Sequence, residues 1–144
     1  MAIQFTSHEV KDYLKEKRKL KSFLSDLFSA EGQGLRSLHY VFCSDAYLLE
    51  INKQFLQHDT YTDIVTFEMG EDPAITEGEI YISVDRVLEN ADKFEVPVAQ
   101  ELHRVIFHGA LHLCGFKDKS KKDAALMRSK EDEYLVKYFG NKIV

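Results

Sequence analysis

The sequence predicts an α+β domain, a small mixed β-sheet packed with helices, and three observations carry that expectation. Short runs rich in β-branched and aromatic residues, SLHYVFC at 37–43, DIVTFEM at 63–69 and EIYISV at 79–84, have the length and composition of strands. Stretches of helical periodicity separate and follow them, most clearly over the last third of the chain. No internal repeat, low-complexity tract or Pro/Gly/Ser-rich linker divides the 144 residues, so one domain over 1–144 is expected.

Taken in order, the opening AIQF suits an edge strand, and Thr6 with Glu9 has the pattern of a capping box that would start a helix running to about Ala30. Gly32 and Gly34 would stop it. After the strand at 37–43, Ser44 can cap a helix carrying Ala46, Leu48, Leu49, Ile51 and Phe55. QHDTYT at 57–62 reads as a loop. The strands at 63–69 and 79–84 are expected to be neighbours, separated by a loop containing Gly70, Pro73 and Gly78. Three helices should follow, from Asp85 to about Phe94, from Pro97 to about Leu113, and from about Lys122 to Phe139. Pro97 suits a first helical turn, and Gly115 is a natural stop because glycine tolerates the left-handed conformation that ends many helices.

Composition narrows the class of protein. With 44% hydrophobic and 30% charged residues the chain is an ordinary globular one rather than a disordered one. No apolar run approaches the ~20 residues that span a bilayer, and MAIQFTSHEVKDYLK lacks a basic segment followed by an apolar one, so a cytoplasmic protein with no membrane association is expected. Cys43 and Cys114 are too few for a disulfide framework and read as reduced thiols. A net charge of -5 does not advertise nucleic-acid binding. Basic residues nevertheless cluster in KEKRKLK at 15–21 and KDKSKK at 117–122, segments whose plainer reading is solvated surface.

The chemistry concentrates in QELHRVIFHGALHLCGFKDKS at 100–120. Successive helical residues turn by about 100°, so His108 and His112 lie about 40° apart on adjacent turns and can reach one ion. A turn at Gly115 would swing Asp118 back toward it, giving H-x-x-x-H-x-x-G-x-x-D. Two imidazoles and a carboxylate fill three corners of a tetrahedron and leave the fourth for water, which separates catalytic zinc from structural zinc. Zinc is the first choice of metal, with nickel or iron also suited to such donors. Cys114, two residues after His112, points away and is assigned to packing.

His8, His39, His58 and His103 lack this geometry, and His103, about 140° around the helix from His108, reads as a surface or packing residue. In zinc proteases of the H-E-x-x-H type the glutamate after the first histidine is the general base. Gly109 occupies that position here, so the proton must be handled elsewhere and peptide hydrolysis is disfavoured. Glu101, seven residues before His108 on nearly the same face, is either a base, a partner of a ligand, or a plain surface glutamate.

These residues resemble the YbeY proteins, bacterial endoribonucleases and ribosomal RNA maturation factors. The family motif H-G-x-L-H-L-x-G-Y-D-H is similar to HGALHLCGFKD from His108 to Asp118. A helix ending in leucine-asparagine and followed by a T-D-V-L-S-F strand looks like Ile51-Asn52 and Thr62-Asp63-Ile64-Val65-Thr66-Phe67, and a strand opening G-D-I looks like Gly78-Glu79-Ile80. Two departures matter. Asp118, preceded by Lys117, stands where the family has its third histidine preceded by aspartate, and Leu56 stands where it has an arginine suited to gripping phosphate.

The resemblance implies a single-strand-specific, metal-dependent endoribonuclease acting in late-stage 70S ribosome quality control and in maturation of the 3′ end of 16S rRNA. It implies one Zn2+ per chain, or Ni2+ or another divalent ion, with His108, His112 and Asp118 acting through it. Lys53, Lys117, Lys119, Lys121 and Lys122 would replace the arginine as phosphate contacts. RNA and the ribosome or its proteins are the implied partners, and the oligomeric state is left open. A zinc metalloprotease and a non-catalytic ribosome-assembly factor are the alternatives.

Overall fold

The structure is a computed structural model and describes residues 2–56 and 62–140. These residues form β1 (Ala2–Ser7), α1 (Lys17–Ala30), β2 (Gly34–Cys43), α2 (Asp45–Leu56), β3 (Ile64–Glu68), β4 (Ile75–Ser83), α3 (Val84–Lys93), α4 (Val98–Leu113) and α5 (Lys121–Phe139). The sheet order is β1-β2-β4-β3. β1 and β4 run parallel to β2, and β3 runs antiparallel to β4, so the sheet is mixed as expected, with the expected edge strand at the start of the chain.

Strand alternation sorts the core into two parts. Leu38, Tyr40 and Phe42 of β2 and Ile80 and Ile82 of β4 share one face, where they pack with Leu20, Leu24, Leu27 and Phe28 of α1 and with Ile106, Phe107, Ala110 and Leu111 of α4. The opposite parity, Cys43 and Val65 with Tyr81 and Phe67, meets Tyr47 and Leu48 of α2 in a smaller cluster. α4 therefore lies against the sheet, and α1, α3 and α5 pack on α4. The fully buried Tyr40 hydroxyl donates to the Ile106 carbonyl at 2.8 Å, tying β2 to the middle of α4.

The cap expected at Ser44 forms and the one expected at Thr6 does not, while α5 carries a cap at Ser120 that the sequence reading did not name. The Ser44 hydroxyl accepts from the Tyr47 amide at 3.1 Å, and the Ser120 hydroxyl accepts from the Asp123 amide at 3.0 Å, so α5 opens at Lys121. The expected capping box at Thr6 does not form. Thr6 belongs to β1, where it pairs with Val41 and its hydroxyl is engaged by His39 Nε2 at 2.8 Å. The following chain turns through a left-handed Glu9 (φ 55°), and α1 begins only at Lys17. Gly78, placed in a loop by the sequence, lies inside β4. A Cβ there would come within 2.8 Å of Leu113 Cδ1, so the glycine lets the end of α4 close on the sheet. Of the loop expected at 57–62 all but Thr62 falls outside the described residues. Among the described residues, no helix is long and apolar enough to cross a membrane.

Candidate active site

α4 presents His108 partly buried and His112 exposed in its last turn. The helix then stops as predicted. Gly115 takes φ 103°, its amide donates to the His112 carbonyl at 3.0 Å, and the Phe116 amide donates to the Leu111 carbonyl at 3.1 Å. This reversal carries Asp118 back over the helix, where its Oδ2 lies 3.2 Å from His108 Nε2. His108, His112 and Asp118 form one wall of a cavity of about 350 Å³, and Thr62, Asp63, Ile64 and Thr66, from the edge strand β3 and the residues leading into it, form the other. Two of the three expected ligands are thus in contact and the third shares their cavity. Among the described residues, no three His, Cys, Asp or Glu side chains are gathered closely enough to close on an ion.

Behind the cavity, His108 Nδ1 lies 2.7 Å from Glu131 Oε2. The Glu131 side chain is only 7% exposed, and its Oε1 accepts from Arg104 Nη1 at 2.9 Å. The second arm of Arg104 donates to Asp132 Oδ1 at 2.7 Å. Burial alone would lower the imidazole pKa of His108, but the Glu131 hydrogen bond and charge, with Asp118 and Asp63 behind them, outweigh it and the net shift is upward. The sequence reading missed Glu131 and Arg104. One signal was available: Met127, Tyr134, Leu135 and Tyr138 are the other buried residues of α5, so Glu131 is a carboxylate set on an otherwise apolar stripe.

The remaining expected site residues are placed differently. Glu101 is buried in α4 and does not line the cavity. Burial raises its carboxyl pKa, and the opposing pull of Arg104 and Arg128 does not cancel that rise. Lys53, Lys117, Lys119, Lys121 and Lys122 are all exposed and none lines the cavity; Lys117 and Lys119 flank Asp118 along the chain. Leu56 is the last residue of α2. Cys114 is half-buried against the core and its thiol is pushed up to about 12 by burial, which fits the packing role. Both cysteines are free. Asp63 adds a carboxylate to the lining of the same cavity, and its charge acts on His108.

An α+β fold whose buried helix offers two imidazoles one turn apart, with a carboxylate returned to them by a glycine turn, defines the class of metal-dependent hydrolases. The model of the family described as endoribonuclease YbeY matches residues 3–139. The chain belongs to that family. It is 47% identical over 129 residues to endoribonuclease YbeY of Flavobacterium psychrophilum, covering 90% of this chain and 91% of that one. It is 44% identical to the endoribonuclease YbeY of Cytophaga hutchinsonii, covering 92% and 93%. The solution structure of TM1509 from Thermotoga maritima is similar in fold, with a TM-score of 0.65 and 29% identity over 96% of this chain and 89% of that one.

Proposed function

We propose that residues 1–144 act as one catalytic domain that cuts single-stranded RNA in the cytoplasm. The reading is supported by the 3.2 Å contact between His108 and Asp118 at a cavity that His112 also lines, in a chain whose relatives carry the name endoribonuclease. Its targets would be those implied by the family: 16S rRNA near its 3′ end and defective 70S ribosomes, with the ribosome or its proteins as partners.

The donor chemistry fits a divalent ion. His108 has one ring nitrogen engaged by Glu131 and the other facing Asp118, and His112 and Asp118 complete an imidazole, imidazole and carboxylate set. These three would hold one Zn2+, with Ni2+ or another divalent ion as the alternative. A bound ion of this kind supplies Lewis acidity toward a phosphoryl oxygen. The chain's own residues would do the rest. Thr62, whose hydroxyl donates to the Ile64 carbonyl at 3.4 Å, and Thr66 line the cavity beside Asp63, the carboxylate there that is not needed as a ligand and can accept a proton from the attacking group. Lys117, Lys119, Lys121 and Lys122 would draw the RNA backbone toward the cavity mouth, with Lys53 at the end of α2 contributing from a second element. Glu101, off the cavity, is assigned no proton transfer.

One position favours a second reading, the non-catalytic assembly factor: Leu56 stands where the family's phosphate-gripping arginine would be. Incubating purified protein and a His108→Ala variant with single-stranded and duplex RNA, with metal analysis of both proteins, separates the two. Cleavage of single strands by the wild type alone, with metal lost from the variant, is expected. Equal cleavage by both would indicate a contaminant, and RNA binding without cleavage by either would establish the assembly factor.

A further inference from the structure

We infer that Glu131, held by Arg104, is the positioning residue of the site: it fixes the ring of His108 so that Nε2 is the nitrogen turned toward Asp118 and presented to the metal. The inference rests on the reading of His108 as a ligand.

The geometry carries it. An ionised carboxylate only accepts hydrogen bonds, so at 2.7 Å from Glu131 Oε2 the proton must sit on His108 Nδ1. In a neutral imidazole the lone pair is then on Nε2, the atom 3.2 Å from Asp118. A histidine that ligates a metal commonly gives its other N–H to a carboxylate in this way, which sets the tautomer and the ring orientation and raises the basicity of the ligating nitrogen.

Glu131 is itself held. Its two oxygens are divided, Oε1 to Arg104 and Oε2 to His108, and its side chain is 7% exposed against 12% for Arg104. Arg104 and His108 lie four residues apart on α4, so one carboxylate from α5 bridges successive turns of the ligand helix. The docking of α5 thereby sets the direction of His108. A buried Arg–Glu pair is weak evidence for stability, because desolvation offsets most of the attraction. Its contact with a cavity-lining imidazole supplies a reason for its presence that stability alone does not. Glu133, two residues on and exposed, instead faces Lys130 and Lys137 and has no such contact.

The test is a zinc competition titration against a chelating dye, using the metal-stripped 144-residue chain and its Glu131→Gln, Glu131→Ala, Glu133→Gln and His108→Ala variants, with the melting temperature of each metal-free sample read in parallel. Zinc affinity should fall about 10–100-fold in Glu131→Ala. It should fall less in Glu131→Gln, whose amide oxygen can still accept from Nδ1, and stay at the wild-type value in Glu133→Gln. A folded Glu131→Ala protein binding zinc like the wild type overturns the inference and leaves the ligand assignment standing. Wild-type affinity in His108→Ala, or no zinc bound by the wild type, overturns the ligand assignment itself. If Glu131→Ala does not fold, the ring nitrogen shifts of His108 in the zinc-loaded wild type decide: a protonated Nδ1 with zinc on Nε2 supports the inference, and zinc on Nδ1 overturns it.

Discussion

Gly109 lies so close to Ile80 that a Cβ built on it would come within 3.0 Å of the Ile80 Cδ1 atom, and within 3.0 Å of Ile64 Cδ1 as well. The residue after His108 therefore faces the sheet while His108 faces the cavity. Zinc peptidases of the H-E-x-x-H type put their general base at this position, and here there is no room for one. Gly109→Glu is expected to create no peptidase. It should destabilise the fold by more than about 3 kcal/mol, because overpacking and the burial of an unpartnered carboxylate act together. A denaturant midpoint equal to that of the wild type, with zinc-dependent peptide cleavage, would contradict this account.

The pattern H-x-x-x-H-x-x-G-x-x-D was legible because each step in it is local. A helix fixes the angle between His108 and His112, and Gly115 fixes the return of Asp118. The mixed sheet was legible from strand composition, since β-branched runs leave little choice at 37–43 and 79–84. The first helix was misplaced because a Thr–x–x–Glu pattern is a local signal, and Thr6 is claimed by a partner 33 residues away, His39. Glu131 was only half legible, for the same reason. Its place on the apolar stripe of α5 marks it as the glutamate that turns inward, but its partners His108 and Arg104 are 23 and 27 residues distant and are set only when α5 docks on α4.

Arg104→Met should destabilise the metal-free protein by about 3–5 kcal/mol, because it leaves Glu131 buried with one oxygen unpaired. Adding Glu131→Met should recover much of that loss, since an apolar pair of similar volume no longer carries an uncompensated charge. Urea unfolding of the single and double variants checks both statements. Additive losses in the double variant would mean that the two side chains act independently.

Changing Lys117, Lys119, Lys121 and Lys122 together to Gln should weaken single-stranded RNA binding and make it less sensitive to salt. Each phosphate contact removed lowers the slope of log affinity against log salt by about 0.7 for a single strand. Fluorescence anisotropy at several salt concentrations, with His108→Ala present in both proteins to prevent cleavage, gives the two slopes. Identical slopes would place the RNA on another surface and remove these lysines from the binding site.

His103 links acid sensitivity to packing at a distance from the cavity. It is 5% exposed, stacks on Tyr138 with ring centroids 4.9 Å apart, and is held through Nδ1 to the Ala99 carbonyl at 2.6 Å. Its Nε2 is buried and has no hydrogen-bond partner among the described residues. Burial lowers its imidazole pKa; the Ala99 carbonyl and Glu16 oppose the shift, Lys19 adds to it, and the net shift is downward. A depressed folded-state pKa means that the unfolded chain takes up the proton first. The corresponding stability is fully present above the unfolded value of about 6.5 and is lost as pH falls through the folded one. His103→Phe keeps a ring against Tyr138 and removes the titrating group. Between about pH 7.5 and about pH 5, its denaturant midpoint should therefore fall less than that of the wild type, the metal ligands titrating alike in both proteins. Equal falls would show that His103 is charged in the folded state at the lower pH without cost.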